Sequence, residues 1–97
     1  MSRVRHIVVF ALKHPDDSAL AQNFLEAAQK LTHIAGVENF EIVREISSKN
    51  GYEWGIIMEF ASKAAYEAYN HHPSHIEFVQ NWWLANVEQF LEIDFAL

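Results

Sequence analysis

The sequence predicts an α+β domain with the element order βαββαβ and a four-stranded antiparallel sheet. Three patterns support this fold class. A β-branched apolar run covers residues 4–12, apolar residues recur at helical spacing in 20–34, and two alternating stretches flank an Asn-Gly turn. A helical region broken by proline and a last alternating stretch complete the order. This is the order of a ferredoxin-like fold, in which both helical regions cover one sheet face.

The first predicted strand, Val4–Leu12, is apolar on both faces, which is typical of a strand buried from two sides. A break at Pro15 follows. The helical spacing in residues 20–34 then predicts an amphipathic helix of about five turns. Gly36 comes directly after this stretch, and glycine is the residue most often found just beyond a helix C-terminus.

Residues 37–46 and 52–60 are predicted to form the two strands of a hairpin, because the intervening Asn-Gly dipeptide favours a tight turn. Both stretches alternate between apolar and polar side chains, as half-buried strands do. The buried face of the first of these strands is assigned to three residues, namely Phe40, Ile42 and Ile46. The hairpin therefore supplies the second and third strands of the sheet.

A proline at position 73 interrupts the helical region after the hairpin. Ser62 predicts the N-cap of a short helix. Pro73 disfavours a helical conformation of His72, which precedes it. Ser74 and Glu77 form a predicted capping box that starts a second helix extending to about position 87. In the last strand, apolar and acidic side chains alternate.

The second face of the sheet needs a cover, because helices on one face leave the other bare while the first strand is apolar on both. A second copy of the same sheet is the simplest cover. We therefore expect a homodimer whose sheets pack face to face as a dimeric α/β barrel. The length of 97 residues suits a single domain, assigned to residues 1–97.

The composition bears on several classes of function. The absence of cysteine excludes disulfides, thiolate metal sites and a cysteine nucleophile, and it suits a reducing cytoplasm, where we place the protein. A net charge of −6 argues against nucleic acid or an anionic membrane as a partner. The apolar run near the N-terminus is too short to span a membrane. A hydrophobic content of 51% indicates a pocket or a subunit interface.

Histidines cluster beside Tyr69 around the proline break. Imidazole changes charge near neutral pH, so such a cluster fits proton transfer, metal binding or a polar lid over a pocket. Pro73 separates His71 and His72 from His75, and no carboxylate is placed to complete a ligand set. We therefore predict no metal site and no cofactor. If the protein is an enzyme, Tyr69 and His75 are the candidate catalytic pair.

A pocket between the sheet and the helices is predicted from strand parity. His6 lies on the apolar face of the first strand that we assign to the helix side, and Trp54 lies on the corresponding face of the third strand. A histidine on an apolar face is either a hydrogen-bonded core residue or a ligand contact, and both interpretations stay open. The candidate ligand-binding residues are His6, Trp54, Tyr69, His72 and His75.

Four stretches of the chain resemble the stress-responsive A/B barrel (Dabb) family. They lie in residues 5–10, 36–40, 69–79 and 90–95, and the third has the pattern Tyr-x-x-His-Pro-x-His-x-x-Phe-Val, the most specific of the four. The resemblance implies a homodimeric barrel. One plant member of the family is a polyketide cyclase that needs no cofactor. Its catalytic tyrosine and histidine match Tyr69 and His75, and one of its pocket histidines matches His6.

Three functions remain open from the sequence. The first, which we favour, is a homodimeric protein that binds a small, partly apolar molecule. The second is a cofactor-independent cyclase, isomerase or lyase that uses Tyr69 and His75. The third is a cofactor-free monooxygenase, which needs a substrate that itself reacts with oxygen. Whether the protein is an enzyme is left undecided by the sequence.

Overall fold

A computed structural model describes residues 2–97 and shows an antiparallel sheet of four strands. The strands are β1 (Val4–Leu12), β2 (Glu38–Arg44), β3 (Trp54–Phe60) and β4 (Val87–Ala96). The helices are α1 (Ser18–Gln29), α2 (Lys63–Asn70), α3 (Pro73–Phe78) and α4 (Leu84–Asn86), with a 3-10 turn at Lys30–His33 and a π-helical turn at Val79–Trp83. The strand order across the sheet is β2-β3-β1-β4. The predicted ferredoxin-like order is confirmed.

Strand β1 occupies the middle of the sheet and pairs with β3 on one side and β4 on the other. This double pairing places His6 opposite Met58 in β3 and opposite Asp94 in β4. Because side chains alternate along a strand, Val8 and Phe10 share the face of His6. All three β1 residues are buried under the helices.

The core between the sheet and the helices is built around Phe24 of α1, which is fully buried. Its ring centroid lies 5.5 Å from that of Phe10 in β1, 5.6 Å from Phe78 in α3 and 6.1 Å from Trp83. Tilted and edge contacts at these distances are the arrangements that aromatic rings prefer. The cluster therefore packs both α1 and the helical region after Pro73 against the central strand. The neighbouring Trp82 is 37% exposed, so only one of the paired indoles joins this core.

Two predictions for the first half of the chain are wrong in detail. The first α-helix ends at Gln29 and continues only as a 3-10 turn, so it is shorter than the predicted five turns. Gly36, at φ +92°, then reverses the chain, and glycine adopts this conformation without a steric penalty. Ile46 is 91% exposed because β2 ends at Arg44 and leaves it in the following loop.

The N-cap of the helix that contains Pro73 lies two residues earlier than predicted. His72, not Ser74, is the N-cap of α3, and its Nδ1 accepts a hydrogen bond of 3.0 Å from the backbone N–H of Ser74. Proline suits the first helical position because that position needs no N–H donor. The predicted N-cap of α2 is confirmed, since the Ser62 side chain accepts a hydrogen bond from the Ala65 N–H.

The open face of the sheet carries the apolar residues of β4. Leu91, Ile93 and Phe95 are 47%, 38% and 49% exposed, and the first two pair with Val9 and Ile7 of β1. A contiguous apolar surface of this kind is unusual on an isolated domain and typical of an interface. Within residues 2–97, the helices are all too short or too polar to cross a membrane.

Phe24→Ala should lower the free energy of unfolding by about 3–5 kcal/mol, because it leaves a cavity among three other rings. Leu20→Ala on the same helix is the matched control. Its side chain is already 42% exposed, so we expect a loss of less than about 1 kcal/mol. Urea unfolding at one fixed protein concentration measures both. Similar losses for the two variants would contradict this account of the core.

Candidate functional site

A cavity of about 250 Å³ lies between the sheet and the helices, at the β1–β4 side of the core. We call it the site cavity, and six of the residues that line it define it here: His6, Met58 and Glu92 from the sheet, and Tyr69, His75 and Trp83 from the helical region. Most of its remaining lining is apolar. His6, Tyr69, His75 and Glu92 thus bring polar groups into a largely hydrophobic space, which is the usual composition of a small-molecule site.

His6 is held by two polar side chains although it is only 5% exposed. Its Nδ1 lies 2.6 Å from Oδ1 of Asp94 and 3.0 Å from the hydroxyl of Tyr66. A carboxylate only accepts, so Nδ1 carries the proton and donates it to Asp94. In the neutral form of the ring, this arrangement leaves Nε2 of His6 with a free lone pair. The contact with Asp94 therefore fixes both the orientation and the tautomer of the ring.

The free nitrogen of His6 is accessible from the site cavity. Among residues 2–97, every fully buried side-chain nitrogen or oxygen has a hydrogen-bond partner. The contacts of His6 all use Nδ1, so Nε2 keeps its access to the space that His6 lines. An accessible imidazole nitrogen in an apolar cavity is suited to accept a hydrogen bond or a proton from a bound molecule.

Tyr69 and His75 face each other across the break between α2 and α3. Their ring centroids are 4.5 Å apart, and Nδ1 of His75 lies 3.1 Å from the backbone carbonyl oxygen of Asn70. The carbonyl only accepts, so His75 carries its proton on Nδ1 and also has a free lone pair on Nε2. The structure thus brings together the two residues that the sequence pattern singled out.

Burial controls the ionisation of this group. It raises the pKa of Tyr66 to about 12 and raises that of Tyr69 as well, so both hydroxyls remain donors at neutral pH. Burial lowers the pKa of His75, an effect that the Asn70 carbonyl partly opposes. His75 is therefore a neutral acceptor at neutral pH. The site combines protonated phenols with an unprotonated imidazole.

Two predicted ligand residues lie elsewhere. Trp54 does not line the site cavity, because it stands four residues before Met58 in β3, roughly 13 Å along the strand. Its indole instead packs against the guanidinium of Arg44, with 4.8 Å from Cζ to the ring centroid. His72 serves as the N-cap of α3 and lines a separate groove of about 570 Å³ between α1 and α3.

Asp94, Tyr66 and Glu92 were missed by the sequence analysis. The acidic pair was assigned only to the polar face of a half-exposed strand, and Tyr66 to an ordinary helix. Asp94 is located by the antiparallel pairing of the first and last strands, whose register places it opposite His6. The strand order alone predicts that these strands are neighbours but does not give the register. No group of three or more His, Asp or Glu residues in the described part of the chain is arranged to hold a metal ion.

Comparison with known families agrees with this fold. The model of the Stress responsive A/B Barrel Domain matches residues 4–97, almost the whole chain. The chain belongs to the Dabb family. Among curated proteins, none matches it significantly.

Solved structures extend the Dabb comparison. A Dabb family protein with a ferredoxin-like fold from Mesorhizobium loti is 48% identical, with a TM-score of 0.93, and the match covers 98% of this chain and 96% of that chain. A dimeric ferredoxin-like protein of unknown function from Thermobifida fusca is 18% identical, with a TM-score of 0.83 and coverage of 99% and 92%. A hydroxynitrile lyase from Passiflora edulis is also 18% identical, with a TM-score of 0.86 and coverage of 98% and 93%. The two 18% matches show the shared fold alone.

The lowered pKa of His75 predicts a pH-dependent stability. The folded state binds this proton less tightly than the unfolded chain, whose imidazole has a pKa of about 6.5. The contribution is therefore fully present above about pH 6.5 and is lost as the pH falls through the folded pKa. Melting temperatures from pH 7.5 to 5 should fall, and His75→Gln should reduce the fall.

His71→Gln is the matched control, because His71 is exposed on the same connection and should leave the slope unchanged. The pKa itself is read from the His75 imidazole signals in an NMR titration. A midpoint at or above 6.5 would show that burial does not dominate at this position.

Proposed function

We propose that this Dabb protein binds a small, partly apolar molecule in the site cavity. The observation that carries this proposal is the convergence of His6, Tyr69 and His75 on one apolar space, with His6 fixed by Asp94. Burying the imidazole of His6 lowers the free energy of unfolding unless its ring nitrogens have hydrogen-bond partners. A bound molecule with a hydroxyl or carbonyl group would supply the partner that the free ring nitrogen of His6 or the phenol of Tyr69 lacks.

The size and lining of the cavity limit the ligand. At about 250 Å³ it lies just below the roughly 300–1,000 Å³ of common ligand pockets. Met58, Phe78 and Trp83 contribute apolar or aromatic walls. These features favour a molecule with one ring or a short branched chain, and with an oxygen at the end that faces the histidines.

The arrangement also supports a second function, cofactor-free proton transfer next to a carbonyl group. In this scheme Nε2 of His75 takes a proton from the α-carbon, and the electron pair of the C–H bond moves towards the carbonyl oxygen. The Tyr69 hydroxyl donates a hydrogen bond to that oxygen as its charge develops. Nε2 of His6 accepts a hydrogen bond from a hydroxyl of the bound molecule and orients it. Return of the proton from His75 completes the cycle.

A specific observation supports this second function in addition to binding. The pairing of His6 with Asp94 at 2.6 Å sets one tautomer, and the pairing of His75 with the Asn70 carbonyl sets the same tautomer across the cavity. Two imidazole rings whose Nε2 atoms can accept a proton, beside a phenol that can donate a hydrogen bond, are the groups that acid–base catalysis needs. The Passiflora edulis hydroxynitrile lyase shares the fold, which is therefore compatible with lyase chemistry.

His75→Ala should reduce deuterium incorporation at the α-carbon of acetophenone, or of β-keto thioesters, by about 100-fold or more, because a positioned acid–base group contributes that much. His71→Ala should change the rate less than twofold, since His71 only binds the Glu67 carbonyl on the outside of α2. The assay follows deuterium uptake by NMR in D₂O. Equal exchange by wild type and His75→Ala would remove the catalytic function and leave the binding function.

We also propose that the protein is a homodimer joined through the open face of the sheet. The support is the exposed apolar stripe formed by Leu91, Ile93 and Phe95 beside half-buried Ile7 and Val9. The Thermobifida fusca protein of this fold is described as dimeric. Burying this stripe against its own copy would remove it from water and form a two-fold interface, the commonest arrangement of soluble oligomers.

Val9→Asp should convert the dimer into monomers or unfold it, because an unpaired charge buried in an interface costs several kcal/mol. Ala64→Asp, on the exposed side of α2, is the control and should leave the dimer intact. Sedimentation at micromolar concentration should give wild type a mass near twice the 11.2 kDa of the chain. A wild-type mass of one chain would contradict the proposal.

A further inference from the structure

The charged groups around the site cavity are of one sign. Glu92 lines the cavity, and Asp94 lies two residues further along β4 in contact with His6. In the described part of the chain, neither lysine nor arginine lines it. The ammonium of Lys13 donates a 3.2 Å hydrogen bond to the carbonyl oxygen of Leu84, which lines the cavity, but Lys13 itself does not line it. A bound molecule would therefore meet the Glu92 carboxylate without a lysine or arginine in the lining.

The field of Glu92 reaches the residues that face the bound molecule. Burial is the main cause of the pKa shifts of Tyr69 and His75, and the negative charge of Glu92 adds an upward contribution to both. The carboxylate thus acts across the cavity on the phenol and the imidazole. Glu92 is itself exposed, so water screens part of this interaction, and its effect is greatest on a charged group that enters the cavity beside it.

We propose that the site cavity selects an uncharged carbonyl compound and rejects the carboxylate of the same shape. This inference rests on the proposed function and specifies its ligand class. An anion would lose hydration on entry and meet the Glu92 carboxylate, with no lysine or arginine in the described lining to replace the lost water. An uncharged ketone or aldehyde loses little hydration, and its oxygen accepts the hydrogen bond that Tyr69 offers. Phe78 and Trp83 supply the apolar contacts for its carbon skeleton.

The test compares three probes of one size: acetophenone, benzoate and benzylammonium. Each is titrated into the full chain at pH 8, where the lowered pKa of His75 keeps its imidazole neutral towards all three. Binding is read by NMR from the ring signals of His6, Tyr69 and His75 and the indole signal of Trp83. We expect acetophenone to bind at these residues and benzoate to bind about tenfold or more weakly.

Glu92→Gln removes the charge while keeping the shape of the side chain. This variant should bring the affinity of benzoate to within about threefold of that of acetophenone. Glu67→Gln makes the same change of net charge on the exposed side of α2 and should leave the wild-type preference unchanged. An equal effect of both variants would show that overall charge, and not Glu92, sets the preference.

The outcomes separate this inference from the proposed function. Benzoate bound at the same residues as tightly as acetophenone would overturn the inference and leave the small-molecule site standing. Tighter binding of benzylammonium than of acetophenone would show that the cavity prefers a cation to an uncharged ligand, and it would also overturn the inference. No shift at His6, Tyr69 or His75 with any probe would overturn the proposed site itself, and the inference with it.

Discussion

The central position of β1 is the constraint on which the rest of the structure depends. Its two neighbours leave it no free edge, and its apolar side chains point to both faces. The pairing register with β4 then decides which residue stands opposite His6. A slip of one residue would move Asp94 to the other face and leave the imidazole without its acceptor. The packing of the core and the chemistry of the cavity therefore depend on the same set of backbone hydrogen bonds.

The order of elements could be predicted from the sequence because each strand and helix has a clear local pattern. The orientation of β4 could not. Its alternation is symmetrical, and local rules would turn Leu91, Ile93 and Phe95 towards the helices. The structure turns them to the open face and directs Glu92 and Asp94 to the helix side, because the pairing with β1 fixes the parity. The register between β1 and β4, which no local sequence pattern encodes, therefore determines the positions of Glu92 and Asp94.

Local geometry was enough to place two of the candidate site residues near one another. Tyr69 and His75 flank one proline break, and their ring centroids lie 4.5 Å apart. Trp54 was assigned from parity alone, which gives the correct face but not the position along the strand. His72, a predicted ligand contact, instead caps α3 through its own side chain. Parity and spacing locate a face of the sheet, and the depth along a strand comes only from the packed structure.

The π-helical turn at Val79–Trp83 contains one more residue than a regular α-helical turn would. The Leu84 N–H bonds to the carbonyl of Val79, five residues back, instead of four. Such turns are rare and often lie at functional sites. Here the turn ends at Trp83, whose indole contacts the rings of Phe10 and Phe90. A deletion at this turn would rotate the residues after it by about 100° around the helix axis. The cavity wall therefore depends on the number of residues in this turn as well as on their identity.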